Sequence, residues 1–425
     1  MSALDPAPAV PGTATPQVPG SPQRRGFLVW FVLAWFGVNL AGPALAVVAI
    51  PRALAAFDEA TKTVTLSLVS AVGGIAVIVI TPLFGRLSDR TTSRLGMRRP
   101  WMLWGVAGGL VGVGILAAAP GPWAIVLGWC TAQIGFGATN MAVHALLADQ
   151  IPTRIRARVA GVASASAGLA LIVGSVVVAA LPDDARSSWF LLPGGVGGLL
   201  ALPLALTLRD LVRTERPPRL RPADVLGSYW LDPVRHRDFF WAFACRILVT
   251  MSLLTVSTYL LYFVTDHLGV PADRAPGLVA SAITVFTLGN IATAVLFGWV
   301  SDRTGRRKPI VWISCMLSAA GLVVAIAVPH PSVLFAAMAL VGAAQGAYVA
   351  VDVALMTEVL PTFDEAGRDL GIVALSYQLP QLLVPVVALP LLALPSGLDY
   401  PALFGAAIVF CVVGGLAVLP IRRVR

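Results

Sequence analysis

Charge is what this chain has least of. Only 12 % of its residues are charged, against about 25 % in a soluble domain. With a mean hydropathy of +0.84, that shortage excludes an ordinary water-soluble globule. Cysteine is sparse too. The four (Cys130, Cys245, Cys315 and Cys411) are scattered through apolar stretches, which excludes a disulfide framework and a thiolate metal centre. Lysine is nearly absent, 2 residues against 28 arginines. There is no Gly-Lys-Ser/Thr phosphate loop and no zinc-ligand spacing, so nothing marks an enzyme, and no cofactor or metal is expected.

Long apolar runs are what the chain does have. At about 20 apolar residues per membrane span, it divides into twelve: 27–50, 64–85, 100–119, 123–148, 158–181, 188–208, 239–264, 276–299, 309–328, 332–358, 370–394 and 401–420. The expected fold class is therefore an all-α membrane protein. The cations test that count. Of the 30 Lys and Arg residues, 25 fall in loops and tails on the N-terminal side of this map. Arg52, Lys62, Arg186 and Arg274 fall opposite, and Arg246 lies inside a span. A missed or extra span would spoil the split, so the positive-inside rule puts both termini in the cytoplasm. The net charge of +9 then reports topology, and no nucleic acid is expected. Residues 1–25 read as a disordered cytoplasmic tail, 26–208 as a six-helix bundle, and 209–237 as a Pro-containing cytoplasmic linker. Residues 238–421 read as a second six-helix bundle and 422–425 as a cytoplasmic tail.

The two bundles repeat one motif. Gly85-Arg-Leu-Ser-Asp89-Arg90, continued by Arg94, Gly96, Arg98 and Arg99, returns at Gly298-Trp-Val-Ser-Asp302-Arg303, continued by Gly305, Arg306, Arg307 and Lys308. Each copy reads as a loop between two long apolar runs. A second repeat ends the fourth helix of each half: Ala145-Leu-Leu-Ala-Asp149-Gln-Ile-Pro152 and Ala354-Leu-Met-Thr-Glu358-Val-Leu-Pro361. Duplication of this kind is how secondary transporters are commonly built. Asp149 and Glu358 end helices where the dipole disfavours an acid. A cation must compensate, and the Arg-rich loop is the natural partner of Asp149. Arg–carboxylate pairs are strong and directional, so the clusters of Asp89 and Asp302 with their arginines read as latches between helix ends.

Ionisable groups inside spans are costly and call for a function. Arg246 and Asp352 fall at roughly 10 Å and 9 Å from the cytoplasmic side, and His144 at roughly 8 Å. Arg246 and Asp352 can pair across a cavity, because an unpaired charge there would cost far more. Asp352 could then take up a proton, or a solute hydroxyl could displace Arg246 from it. An unperturbed histidine titrates near neutrality, so His144 could relay the proton; the competing readings are a satisfied buried histidine and, for Arg246 with Asp352, a fixed structural bridge. Other polar residues lie on helical stripes: Gln133, Asn140 and His144 in helix 4, and Gln345, Tyr348 and Asp352 in helix 10. Asn39, Thr250, Asn290, Tyr377 and Gln381 add amides and hydroxyls from helices 1, 7, 8 and 11. An uncharged wall of amides, hydroxyls and aromatics suits a polyhydroxylated solute. Routine interhelical hydrogen bonding is the competing use of such residues.

The signature at Gly85, Asp89, Arg90 and the following arginines resembles the major facilitator superfamily, over essentially the whole chain after residue 25. Ser88 to Pro100, Ala145 to Asp149, and Leu370-Gly371-Ile372 with Pro380-Gln381 resemble its glycoside and sucrose symporter branch. Gln133 and His144 stand where that branch tends to carry Asp and Arg. The absence of proline from 158–181 weighs against the drug–proton antiporters. The resemblance implies two pseudo-symmetric six-helix bundles with helices 1, 4, 7 and 10 around a central cavity. It implies a monomer in a bacterial inner membrane, moving a sugar or glycoside with protons or another cation. Efflux of a metabolite or drug is the alternative, and a receptor or scaffold that binds without transporting is the alternative of another class.

Overall fold

A computed structural model describes residues 26–212, 237–359, 366–392 and 400–421. Twelve helical rods follow one another among the described residues. The first six are α1 (Phe27–Phe57), α2 (Lys62–Asp89), α3 (Arg99–Ala117), α4 (Pro122–Asp149), α5 (Thr153–Ala180) and α6 (Arg186–Thr207). The second six are α7 (Arg237–His267), α8 (Ala275–Thr304), α9 (Arg307–Ala327), α10 (Pro331–Val359), α11 (Ala366–Leu392) and α12 (Tyr400–Ala417). Ten of them are long and apolar enough to cross a membrane. Of the other two, α11 contains the apolar stretch Ser376–Leu391, and α4 runs 28 residues and carries Gln133, Asn140 and His144.

Two expectations about boundaries change. The repeated motif is helix rather than loop: Gly85 to Asp89 form the last turn of α2, and Gly298 to Thr304 the end of α8. Nothing in Arg-Leu-Ser-Asp breaks a helix, and α8 stops only at Gly305, whose φ of +63° is the left-handed cap that glycine takes most easily. The first span also runs on past residue 50 to Phe57, through a π-helical stretch at Leu45–Ala49.

The packing repeats with an offset of six helices. In the first half α1 packs on α5 and α6, α4 on α2 and α3, and α3 on α6; in the second, α7 packs on α11 and α12, α10 on α8 and α9, and α9 on α12. The halves meet through α2 against α11 and α5 against α8, again a symmetric pair. Small residues allow these approaches. A Cβ on Gly135 would stand 2.1 Å from the Gly109 nitrogen, and one on Gly346 would stand 2.1 Å from the Asn290 carbonyl.

The apolar core shows how the halves sit. One large cluster spans both halves at the end away from the arginines, from Leu45, Val69 and Trp189 to Tyr259, Phe263 and Phe404. At the Arg-rich end the buried apolar residues form two separate clusters. One is built around Phe31, Met102 and Leu204, the other around Phe239, Val311 and Val351. The bundle is thus closed at one end and divided at the other.

Candidate functional site

The deepest charges meet in the second half. Arg246 on α7 and Asp352 on α10 are only 1 % and 2 % exposed. Arg246 Nε donates to Asp352 Oδ1 at 3.0 Å, and its Nη2 donates to Oδ2. The hydroxyl of Tyr348, one turn before Asp352, donates to Oδ1 at 3.0 Å, and that of Tyr377 on α11 donates to Oδ2 at 3.1 Å. The Tyr377 ring lies under the guanidinium, 4.4 Å from its centroid. Asp352 therefore accepts four hydrogen bonds, so both of its oxygens are satisfied. Among the described residues Arg246 Nη1 has no hydrogen-bond partner. Tyr377 is 47 % exposed, so this cluster has one open side.

The first half carries a separate, uncharged polar patch on α1 and α4. His144 on α4 is exposed, donates its Nδ1–H to the Asn140 carbonyl at 2.8 Å, and lies tilted against Trp35 of α1 with ring centroids 4.0 Å apart. Asn140 is also exposed. Asn39 turns its amide back to the Trp35 carbonyl at 2.8 Å. Gln133, Thr250, Asn290, Gln345 and Gln381 are half-buried, and the structure does not bring their side chains onto the Arg246–Asp352 cluster. Of the residues expected to touch solute, then, Tyr348 and Tyr377 join the ion pair, Asn140 and His144 form a second patch, and the others stand apart.

At the Arg-rich end one arginine gathers the latch. Arg98 precedes α3 and is buried. Its Nη2 pairs with Asp89 at 2.6 Å, its Nε with Asp149 at 2.9 Å, and its Nη1 donates to Ser88 Oγ at 3.0 Å. The ends of α2 and α4 are thereby tied to the start of α3. Burial lowers the affinity of Arg98 for its proton, but Asp149 and Asp89 outweigh it, and its pKa ends above the ordinary arginine value. The Asp210 carboxylate, just past α6, accepts the backbone N–H of Arg98 and Arg99 at 2.5 and 2.8 Å. Burial pushes its pKa up, against the N–H groups of Arg99, Arg98 and Leu211 and the charge of Arg98. Gly96 turns the chain here with φ +101°, and a Cβ would stand 2.3 Å from that of Asp210. Arg94 is exposed. Gly85 and Gly298 have open or loose surroundings. In the second half, Arg303 lies over Trp299 at 4.3 Å, and Lys308 Nζ donates to the Ile421 carbonyl beyond α12. The side chains of Asp302 and Glu358 lie outside the described residues.

Sequence reasoning missed the closed end. Lys62, at the start of α2, is buried and pairs with Asp266 at the end of α7 at 2.7 Å. Tyr400 of α12 donates to Asp266 Oδ2 at 2.9 Å and meets Thr63 at 3.1 Å. Tyr259 meets Ser67 at 2.6 Å, and Tyr262 donates to the Pro51 carbonyl at 3.0 Å. All of these but the Tyr400–Asp266 bond cross between the halves. Nearby, Arg52 lies over Trp189 and donates to the Val178 and Leu181 carbonyls and to Asp183. The available signal was that only four cations lie on this side of the predicted map, Lys62 and Arg52 among them.

Known proteins share this architecture. The family model described as Major Facilitator Superfamily matches residues 27–283 and 273–425. The chain is 28 % identical over 244 residues to the class C tetracycline resistance protein of Escherichia coli, covering 54 % of this chain and 56 % of that protein. It is 27 % identical over 216 residues to the alpha-ketoglutarate permease of Escherichia coli (strain K12), covering 49 % and 47 %. The chain thus spans about half the length of these curated relatives. Among solved structures, a mutant of the nucleoside transporter NupG superposes with a TM-score of 0.71 at 15 % identity, covering 93 % of this chain and 99 % of that one. A bacterial homolog of the human lysosomal transporter Spinster, inward-facing and occupied, gives 0.68 at 16 % identity, covering 95 % and 98 %. At such identities these structures speak for the fold alone.

Proposed function

This chain belongs to the major facilitator superfamily, and on that premise we propose that it is a proton-coupled carrier of a sugar or glycoside, working by alternating access in a bacterial inner membrane. The observation that carries the reading is the Arg246–Asp352–Tyr348–Tyr377 cluster with its unpartnered Nη1 donor. In this reading a solute hydroxyl accepts from Arg246 Nη1 and competes with Asp352 for the guanidinium. Asp352, losing a positive partner inside a low-dielectric bundle, then binds a proton. When the solute leaves, Arg246 returns and the proton is expelled. The exposed Tyr377 offers a ring to a sugar, and the exposed Asn140 and His144 offer hydrogen bonds from the first half. His144 is the proposed relay for the proton.

The positive-inside orientation makes the closed end periplasmic and the divided end cytoplasmic. The arrangement is then inward-facing. The Lys62–Asp266 and tyrosine contacts serve as the outer gate, and the Arg98 latch holds helix ends that must move when the carrier turns outward. Both termini are cytoplasmic in this reading, and one copy of the chain suffices.

The test is uptake of labelled mono- and disaccharides into proteoliposomes under an imposed inward proton gradient, comparing wild type with Asp352→Asn. Accumulation that follows the gradient and disappears in the variant is the expected result. Failure to accumulate any sugar, with the protein shown to be folded and inserted, would remove the sugar reading. The similarity to a tetracycline resistance protein then favours efflux of a small metabolite or drug, which increased sensitivity of a deletion strain to that compound would reveal.

A further inference from the structure

The repeat supplies an internal control for a cavity on the membrane-facing side of the second half. Pro100 and Pro309 begin the matched helices α3 and α9, so Trp101 corresponds to Ile310; Gly85 and Gly298 match in α2 and α8, so Phe84 corresponds to Phe297. In the first half Trp101 fills the space beside Phe84. Their rings are 5.1 Å apart, and the indole N–H donates to Thr91 at 2.8 Å. In the second half isoleucine replaces the indole, and the space stays open as a cavity of about 250 Å³ between α8 and α9. Phe297, Val300 and Ile310 line it, Ala343 and Ala347 of α10 form its floor, and Arg306 stands at its mouth. Ile313 and Leu317, which also line it, are exposed, so the cavity opens toward the lipid.

The mouth is basic. Arg306 is exposed in the turn between α8 and α9, flanked by Arg303, Arg307 and Lys308. Arg303 lies over the exposed Trp299, the amphipathic pairing found where helices leave the hydrocarbon. A slot apolar along its length and cationic at one end matches a single ligand chemistry, an acyl chain with an anionic headgroup. Basic pockets between transmembrane helices take such lipids. The geometry points to a bound anionic phospholipid, with one acyl chain between α8 and α9 and its phosphate on Arg306. The first half cannot hold the equivalent lipid, because Trp101 occupies the space.

Native mass spectrometry of the full chain tests this site, titrating with phosphatidylglycerol and with phosphatidylcholine of the same acyl chains. Wild type should retain one phosphatidylglycerol at roughly fivefold lower concentration than phosphatidylcholine, the effect of one arginine on an anionic headgroup. Ile310→Trp, which copies the first half, should lose that retained lipid. Arg306→Gln, at an exposed position that leaves the fold intact, should bring phosphatidylglycerol down to the level of phosphatidylcholine. Equal retention of the two lipids by wild type, or no effect of Arg306→Gln, would overturn the assignment. So would a change of oligomeric mass in Ile310→Trp, which would give the slot to a second copy of the chain.

Discussion

Arg98 and Arg246 are both buried, and both hold carboxylates through Nε and Nη2, yet they sit in different electrical surroundings. Arg98 divides itself between Asp89 and Asp149, whose side chains are 58 % and 25 % exposed. Arg246 gives both nitrogens to one carboxylate, whose side chain is 3 % exposed. The first set can dissolve into water when the helix ends separate, since partly exposed pairs contribute little net free energy. The second cannot separate without leaving a charge in the membrane interior. Reading the repeats against each other sharpens the point: Asp149 matches Glu358, so Asp352 matches Val143. The first half carries its charge at the surface latch. The second carries it in the core, where the proposed coupling to a proton would act.

The largest expected effect comes from breaking the deep pair on one side only. Asp352→Leu should destabilise the protein by about 3–5 kcal/mol through the stranded arginine, seen as a marked drop in melting temperature in detergent. Adding Arg246→Leu should restore most of that stability while transport stays absent. If the double variant melts as low as the single one, the pair is not the source of the loss. The next effect sharpens the contrast with the latch. Asp89→Asn and Asp149→Asn should abolish uptake while the protein remains inserted, with stability changed by about 1 kcal/mol or less. Normal transport by an inserted Asp89→Asn would reduce the latch to a solvated loop. At the closed end, Lys62→Met should shift the protein toward opening on that side. A cysteine placed at Ser67 in a cysteine-free background should then react faster with a membrane-impermeant thiol reagent than the same probe does with Lys62 present. Unchanged reactivity would count against a gate there. The smallest effect is expected for Tyr259→Phe, which removes one hydrogen bond to Ser67 and should cost about 1 kcal/mol in unfolding experiments.

Much of this was legible from residue order. Twelve apolar runs, the one-sided arginines and two copies of Gly-x-x-Ser-Asp-Arg lead to a two-bundle helical membrane protein because lipid leaves the backbone few options. The meeting of Arg246 with Asp352 was also legible, since equal depth on facing helices and the cost of a lone charge leave little choice. The tyrosines were less so. Tyr348 and Tyr377 have the composition of a solute wall, and only their geometry turns them toward Asp352. The latch was readable as arginines near Asp149, but which arginine was not: Arg90, Arg94, Arg98 and Arg99 are alike in composition, and the turn at Gly96 with the Asp210 carboxylate selects Arg98.

The amino-acid order by itself therefore determined class and the existence of a repeat, because hydropathy and motif act locally along the chain. The tertiary structure alone decided which end is closed, which arginine is buried, and that a slot opens beside Phe297 where Trp101 fills its twin. Those outcomes depend on how two bundles meet and on which side chains share one volume, and no local pattern encodes either.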